Sequence, residues 1–149
     1  MHADEAGNAY LYTLNREHLA VPALEQLADI RAELERRLRA VIAEWEIAPV
    51  HISIFGSAAR GDGDTASDID LFVVRPAGVS EDDPRWRAQL DELAKHVRAW
   101  TGNHAGLSEI AASAVRRLRR QQPPVVAELR RDAITLLGPT PDDLLGSRK

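Results

Sequence analysis

The sequence predicts an α/β domain, a small mixed β-sheet with helices packed on it, preceded by an N-terminal strand and a long helix. Three observations carry this. Two short runs rich in β-branched and aromatic residues, Val50–Phe55 and Ile69–Val74, are separated by a glycine-rich connection. Apolar residues at helical spacing flank them on both sides. Weaker strand patterns then follow at residues 104–110 and Ala133–Leu137, with helical sequence between them.

At the start, Gly7 to Asn15 alternates like a strand after a turn-like Gly7-Asn8 pair, and Tyr10 and Tyr12 sit on it. A strand with an unpaired edge is a pairing surface for a second copy, so a homodimer is one expectation. From about Pro22 to Glu46 a long amphipathic helix is expected, with Pro22 suited to its first turn. Its stripe, Leu24, Leu27, Leu34, Leu38, Val41 and Trp45, reads as core packing, with a protein–protein seam as the alternative.

The first core strand lies between Pro49 and Gly56. Gly56 permits close approach to the backbone, and Ser57-Ala58-Ala59-Arg60 is set to begin a short helix with Ser57 as N-cap. Free N–H groups at such a turn attract phosphate oxygens, and Arg60 adds a fixed positive charge. The polar stretch Gly61–Ser67 returns the chain to the sheet beside the first strand.

On the second strand side chains alternate faces, so Asp68 and Asp70 share one face, roughly 6.5–7 Å apart at Cα from the rise per residue. Two carboxylates so placed repel unless a cation sits between them. Ile69, Leu71 and Val73 take the other face and anchor the strand. After Pro76 a helix is expected from Pro84 to Trp100, with Asp83 as N-cap, a stripe of Trp86, Leu90, Leu93, Val97 and Trp100, and Gly102 as its stop.

Residues 104–110 form a weak strand, because glycine and alanine are poor strand formers. Helices are then expected from Ala111 to Arg120 and, past Pro123-Pro124, to Arg131, before the strand Ala133–Leu137. Arg116, Arg117, Arg119 and Arg120 cover successive helical directions; with Arg130 and Arg131 they read mainly as solvated charge, the alternative being a basic rim for a triphosphate or an RNA backbone. Pro139–Lys149 reads as a loose tail. The expected organisation is thus residues 1–46, then a domain over 47–138, then the tail 139–149.

Composition narrows the class. At 149 residues the chain suits one domain with a sizeable core. It has no cysteine, which removes disulfides and thiolate metal sites, and no apolar run of spanning length or signal peptide, so no membrane role and a cytoplasmic location are expected. The net charge of −4 argues against indiscriminate nucleic-acid binding by the whole chain. That charge is uneven, at −7 over residues 1–100 and +3 over 101–149. His51 faces away from Ile52 and Ile54 and reads as a packed or hydrogen-bonded histidine. His2, His18, His96 and His104 show no metal-ligand spacing. Oxygen-only ligands point to Mg2+ or Mn2+ rather than zinc.

The segment Gly56-Ser57-Ala58-Ala59-Arg60-Gly61, followed by Ser67-Asp68-Ile69-Asp70-Leu71, resembles the signature of the DNA polymerase β-type nucleotidyltransferase superfamily. It is most similar to the small minimal nucleotidyltransferases, whose pattern is G-S-x-x-R-G followed by S-D-I-D-L. The resemblance implies that fold, and transfer of an NMP from an NTP to an acceptor hydroxyl with release of pyrophosphate. It implies Gly56, Ser57, Arg60 and Ser67 at the nucleotide, and Asp68 and Asp70 at Mg2+ or Mn2+. For Arg60, an ion pair with Asp62 or Asp64 is the alternative to phosphate contact. The family draws a third carboxylate from the following strand, often Asp; Glu109, the sole carboxylate between Glu92 and Glu128, is the candidate here, with a surface role as the alternative. Acceptors in the family range over proteins, RNA and small molecules. Some relatives serve as antitoxin-like or regulatory modules with little turnover, paired with a small helical RNase of HEPN type. Gly7–Leu19 resembles the wing and exit of a winged-helix domain found ahead of the transferase domain in some relatives.

Overall fold

The computed structural model describes residues 2–6, 9–13, 15–61 and 67–146, the first two ranges as backbone. The Gly7-Asn8 turn, Asp62, Asp64 and the last three residues lie outside them. The chain divides into two compact units, residues 1–36 and 37–149.

In the first unit β1 (His2–Ala6) pairs antiparallel with β2 (Ala9–Thr13). The single strand expected here is thus the second half of a hairpin. A turn follows in which Asn15 Oδ1 accepts from the Glu17 amide and His18 Nδ1 from the Ala20 amide. These bonds set the start of α1 (Val21–Ala43), which runs on into the second unit. The expected apolar stripe divides: Leu38 and Ile42 are buried, whereas Leu24 and Leu27, with Ile30, are exposed. Core packing therefore holds for the second part of the stripe and not for the first.

The second unit is built on a four-stranded sheet in the order β5-β4-β3-β6. Its strands are β3 (His51–Phe55), β4 (Ile69–Arg75), β5 (Ala105–Ala111) and β6 (Ile134–Leu137). β3 lies antiparallel to β4 and β6, and β4 lies parallel to β5. A parallel neighbour requires a crossover, and α3 (Pro84–Thr101) supplies it. Its ends follow local chemistry. Asp83 accepts from the amides of Arg85 and Trp86, Pro84 opens the first turn, and Gly102 closes the helix with a left-handed φ of 76°. β5 forms despite poor propensity because β4 gives it a continuous ladder from Ala105 to Ala111.

The sheet is covered on both faces. Leu71 and Val73 with Ile52 and Ile54 point to one side, where the end of α1 and α3 contribute Leu38, Ile42, Trp86, Leu90, Leu93 and Val97 to the core. Trp45 meets Trp86 edge-on at 5.8 Å, and Gln89 bonds both backbone groups of Ile47. Phe55, Phe72 and Val74 point to the other side and pack with Val126, Leu129 and Leu145. The helices of that face are α2 (Gly56–Arg60), α4 (Val115–Gln121, after a 3-10 turn at Ala112–Ala114), α5 (Pro124–Asp132) and α6 (Pro141–Leu145).

The last of these corrects the loose tail expected from Pro139 onward. Thr140 caps α6 by accepting from the Asp143 amide, Pro141 is its first residue, and Leu145 is buried in the core. Arg130 holds the end of α6 through the carbonyls of Leu145 and Gly146. The sequence signal was present, since Thr-Pro-Asp-Asp is an N-cap, a first-turn proline and two carboxylates at a helix start. No described helix is long and apolar enough to cross a membrane.

Candidate functional site

The site forms where β3 ends in α2 and β4 begins. Gly56 takes a φ of 68°, in the left-handed region, and turns the chain out of the sheet. α2 runs for five residues and ends when the Gly61 amide bonds the Ser57 carbonyl at 2.8 Å. Phe55 pairs with Asp70 across the β3–β4 ladder, so the turn stands directly over the start of β4. Ser57 is half-buried one residue beyond Gly56; Ser67 is half-buried and Asp68 exposed in the extended segment before β4.

Asp70 is the centre of the arrangement. Its carboxylate lies in a slot between two glycines, one on each side. A Cβ built on Gly56 would stand 2.9 Å from Oδ2, and one on Gly106, its partner on β5, 2.6 Å from Oδ1. Any side chain at either position would displace the carboxylate. Burial pushes the Asp70 pKa above the usual carboxylate value, and the charges of Asp68 and then Glu128 push it the same way. All three causes disfavour the anion, so a cation placed here would be strongly favoured. Glu128, on α5, has no strand or motif signal; only the packing of α5 brings it close.

Arg60, at the far end of α2, pairs with Asp132 of α5 at 3.3 Å. Arg131 pairs with the same carboxylate at 2.8 Å, and the two arginines hold the Asp132 pKa low, Arg131 the more. The expected partners Asp62 and Asp64 lie outside the described residues. Among the arginines expected as a rim, Arg130 is occupied in holding α6, while Arg116, Arg117, Arg119 and Arg120 are exposed on α4.

Glu109, expected as the third carboxylate, is not brought to this site. Gly106 is in register with Asp70 and Glu109 with Val73. The odd step between Gly106 and Glu109 turns the Glu109 side chain to the opposite face of the sheet. There it is bound by the Arg75 guanidinium, by Trp86 Nε1 at 2.9 Å and by Arg87 at 3.6 Å. The β5 residues that share the face of Asp70 are Gly106, Ser108 and Ile110, and none is acidic. His51 is buried, its Nδ1–H donating to the Pro139 carbonyl at 2.8 Å and its Nε2 accepting from the Ser53 hydroxyl at 2.9 Å. Burial lowers its pKa, as suits a packed neutral imidazole. A cleft of about 820 Å³ lined by Trp45, Gln89, Glu92 and His96 lies between the end of α1 and α3, on the face away from Asp70.

Among the described residues no three carboxylates or imidazoles already stand as a complete metal cage. Two carboxylates beside the glycine-serine turn nevertheless fit Mg2+ or Mn2+, because magnesium commonly takes one or two protein carboxylates and completes its shell with phosphate oxygens and water. The donors are oxygen alone, which suits these hard cations.

The fold is an α/β domain whose small mixed sheet sets a carboxylate pair beside a glycine-serine turn, donors that would suit a divalent cation and phosphate. The family model described as "Nucleotidyltransferase domain" matches residues 31–121, more than half of the chain, and the chain belongs to this family. No curated protein matches the chain. Solved structures with similarity include a toxin-antitoxin with AMP-PNP, at 20% identity and a TM-score of 0.46, covering 74% of this chain and 78% of that one. A mutant of the toxin-antitoxin MntA-HpeT aligns at 21% identity and a TM-score of 0.46, covering 74% and 77%.

Proposed function

We propose that the chain transfers a nucleoside monophosphate from an NTP to an acceptor hydroxyl, using a divalent cation held at Asp68 and Asp70. The observation that carries this reading is the Asp70 carboxylate, seated between Gly56 and Gly106 with no arginine or lysine paired to it among the described residues, while Asp68 and Glu128 add negative charge. A structural carboxylate would be paired, as Glu109 is.

Asp68 and Asp70 would hold Mg2+ or Mn2+, which supplies Lewis-acid polarisation of the phosphates and lowers the pKa of the acceptor hydroxyl. Gly56 keeps the backbone free of a side chain where the phosphates approach, and the Ser57 hydroxyl and adjacent amides bind their oxygens. Arg60, anchored through Asp132, braces α2 and adds positive charge beside the turn. The acceptor oxygen forms a bond to the α-phosphorus. The bond from that phosphorus to the α,β-bridging oxygen breaks, pyrophosphate leaves with the electron pair, and the hydroxyl proton is taken up at the acidic cluster.

The placement of Glu109 favours a second reading, in which the site holds nucleotide as a partner-binding or regulatory module without turnover. One experiment separates them. The chain is incubated with Mg2+ and α-labelled NTPs in the presence of candidate protein, RNA and small-molecule acceptors, and label transfer and pyrophosphate are followed. Transfer that disappears in the double variant Asp68→Ala, Asp70→Ala supports the transferase. Metal-dependent NTP binding by calorimetry without pyrophosphate release supports the module, and transfer that survives the double change refutes the site.

A further inference from the structure

The packing of α5 onto α2 puts a third acid beside the Asp68/Asp70 pair from a place that no strand pattern marks. Val126 and Leu129 bury one side of α5 against Phe55, Phe72 and Val74. Asp132 bonds Arg60 at the end of α2. Glu128 is one turn before Asp132 and shares its ridge of the helix, so it faces the same turn. The strand next to β4 offers no acid on this face, only Gly106, Ser108 and Ile110. Glu109 is committed on the other face to Arg75, Trp86 and Arg87. Phe55 stands opposite Asp70 in the β3–β4 ladder and Phe72 is the next residue on its face, so the α5 surface that packs there lies on the Asp70 side of the sheet.

We propose that Glu128, on the helix α5, takes the place of a strand carboxylate as the third negative charge of the cation site. This rests on the transferase-family reading of the Asp68/Asp70 pair and deepens it. Glu128 is a positioning residue: it would add negative charge beside the Asp68/Asp70 pair without being a ligand itself. The slot between Gly56 and Gly106 holds the Asp70 carboxylate on the face that α5 covers. β5 can then carry glycine opposite Asp70, because the charge that a strand acid would bring arrives from the helix.

The test uses Mn2+ alone, titrated into the full chain and followed by electron paramagnetic resonance, with wild type, Glu128→Gln, Glu128→Asp, Glu109→Gln and Asp70→Asn compared. Loss of an outer carboxylate around a metal weakens affinity by roughly 10–100-fold. The expected result is a tenfold or greater loss in Glu128→Gln, substantial recovery in Glu128→Asp, and no change in Glu109→Gln. Circular dichroism melting of Glu128→Gln checks that the chain remains folded, and the charge-retaining Glu128→Asp separates lost charge from lost packing. Native-like affinity in Glu128→Gln together with loss in Asp70→Asn overturns the role of Glu128 and leaves the site standing. Native-like affinity in Asp70→Asn overturns the site itself.

Discussion

Two carboxylates on neighbouring strands of one sheet, Asp70 and Glu109, have opposite fates. Asp70 faces α5, between two glycines, with its pKa pushed up by burial and by two further acids. Glu109 faces α3 and receives two guanidinium groups and an indole N–H. The Glu109 side is a satisfied structural joint between β4, β5 and α3. The Asp70 side has no such pairing among the described residues, and this difference is what the proposed cation site rests on. Which face a residue takes decides its role, and the face is set by register with the neighbouring strand.

The largest effect that tests this contrast is chemical. Asp70→Asn keeps the shape of the side chain and removes the charge; label transfer from NTP should fall on the order of 10³-fold, in the range for removing a group that stabilises developing charge. Transfer near the wild-type rate would place the chemistry elsewhere. On the opposite face, Glu109→Gln leaves Arg75 and Arg87 without their anion in a site where Glu109 and Arg75 are mostly buried. Urea unfolding should show a loss of about 2–4 kcal/mol, a result that an exposed, idle glutamate would not give.

A smaller effect sharpens the role of the slot. Gly106 has no left-handed φ to lose, so Gly106→Ala acts through contact with Asp70 Oδ1 alone. The flexible carboxylate yields, the melting temperature changes little, and transfer drops by about a hundredfold, as expected for a misplacement of roughly 1 Å. If stability falls and transfer per folded molecule does not, the glycine serves packing only.

The smallest effect is in the pH dependence of stability. The folded pKa of Asp70 is raised, so the native state binds its proton more readily than the unfolded chain does. Stability therefore falls as pH rises from the unfolded value through the raised folded value, and the deficit remains at neutral pH. Asp70→Asn removes it, so the inactive variant should melt slightly higher than wild type at pH 7, and the gap should close in acid. His51, neutral and buried with a lowered pKa, costs stability in the opposite sense as pH falls below its unfolded value; it is present in both proteins and cancels in the difference. A variant that melts no higher than wild type at pH 7 would show that Asp70 carries no such strain.

Much of this was legible in the linear sequence where the signal is local. α3 could be drawn from Asp83, Pro84, its apolar stripe and Gly102, and β3 and β4 from two β-branched runs, because caps and periodicity act within a few residues. Asp70 was found by its motif. Its surroundings were not, because Gly106 and Glu128 meet it through a parallel ladder and a helix packed across the sheet. Glu109 was misplaced for the same reason: its position after α3 is legible, but its facing depends on Gly106 rather than Glu109 standing in register with Asp70. The stripe on α1 shows a third limit, since Leu24 and Leu38 have the same periodicity and opposite burial.

The central claim is that the cation and nucleotide face is that of Asp70 and Glu128, not that of Glu109 and Trp86. Adding Mn2+ to the isotope-labelled chain reads this directly, through paramagnetic broadening of its resonances. Amides of Gly56, Ser57, Asp70 and Gly106 should vanish at the lowest Mn2+ additions, while the Trp86 indole N–H bonded to Glu109 persists to higher ones. Early loss of the Trp86 indole with Gly56 and Gly106 intact would contradict the account.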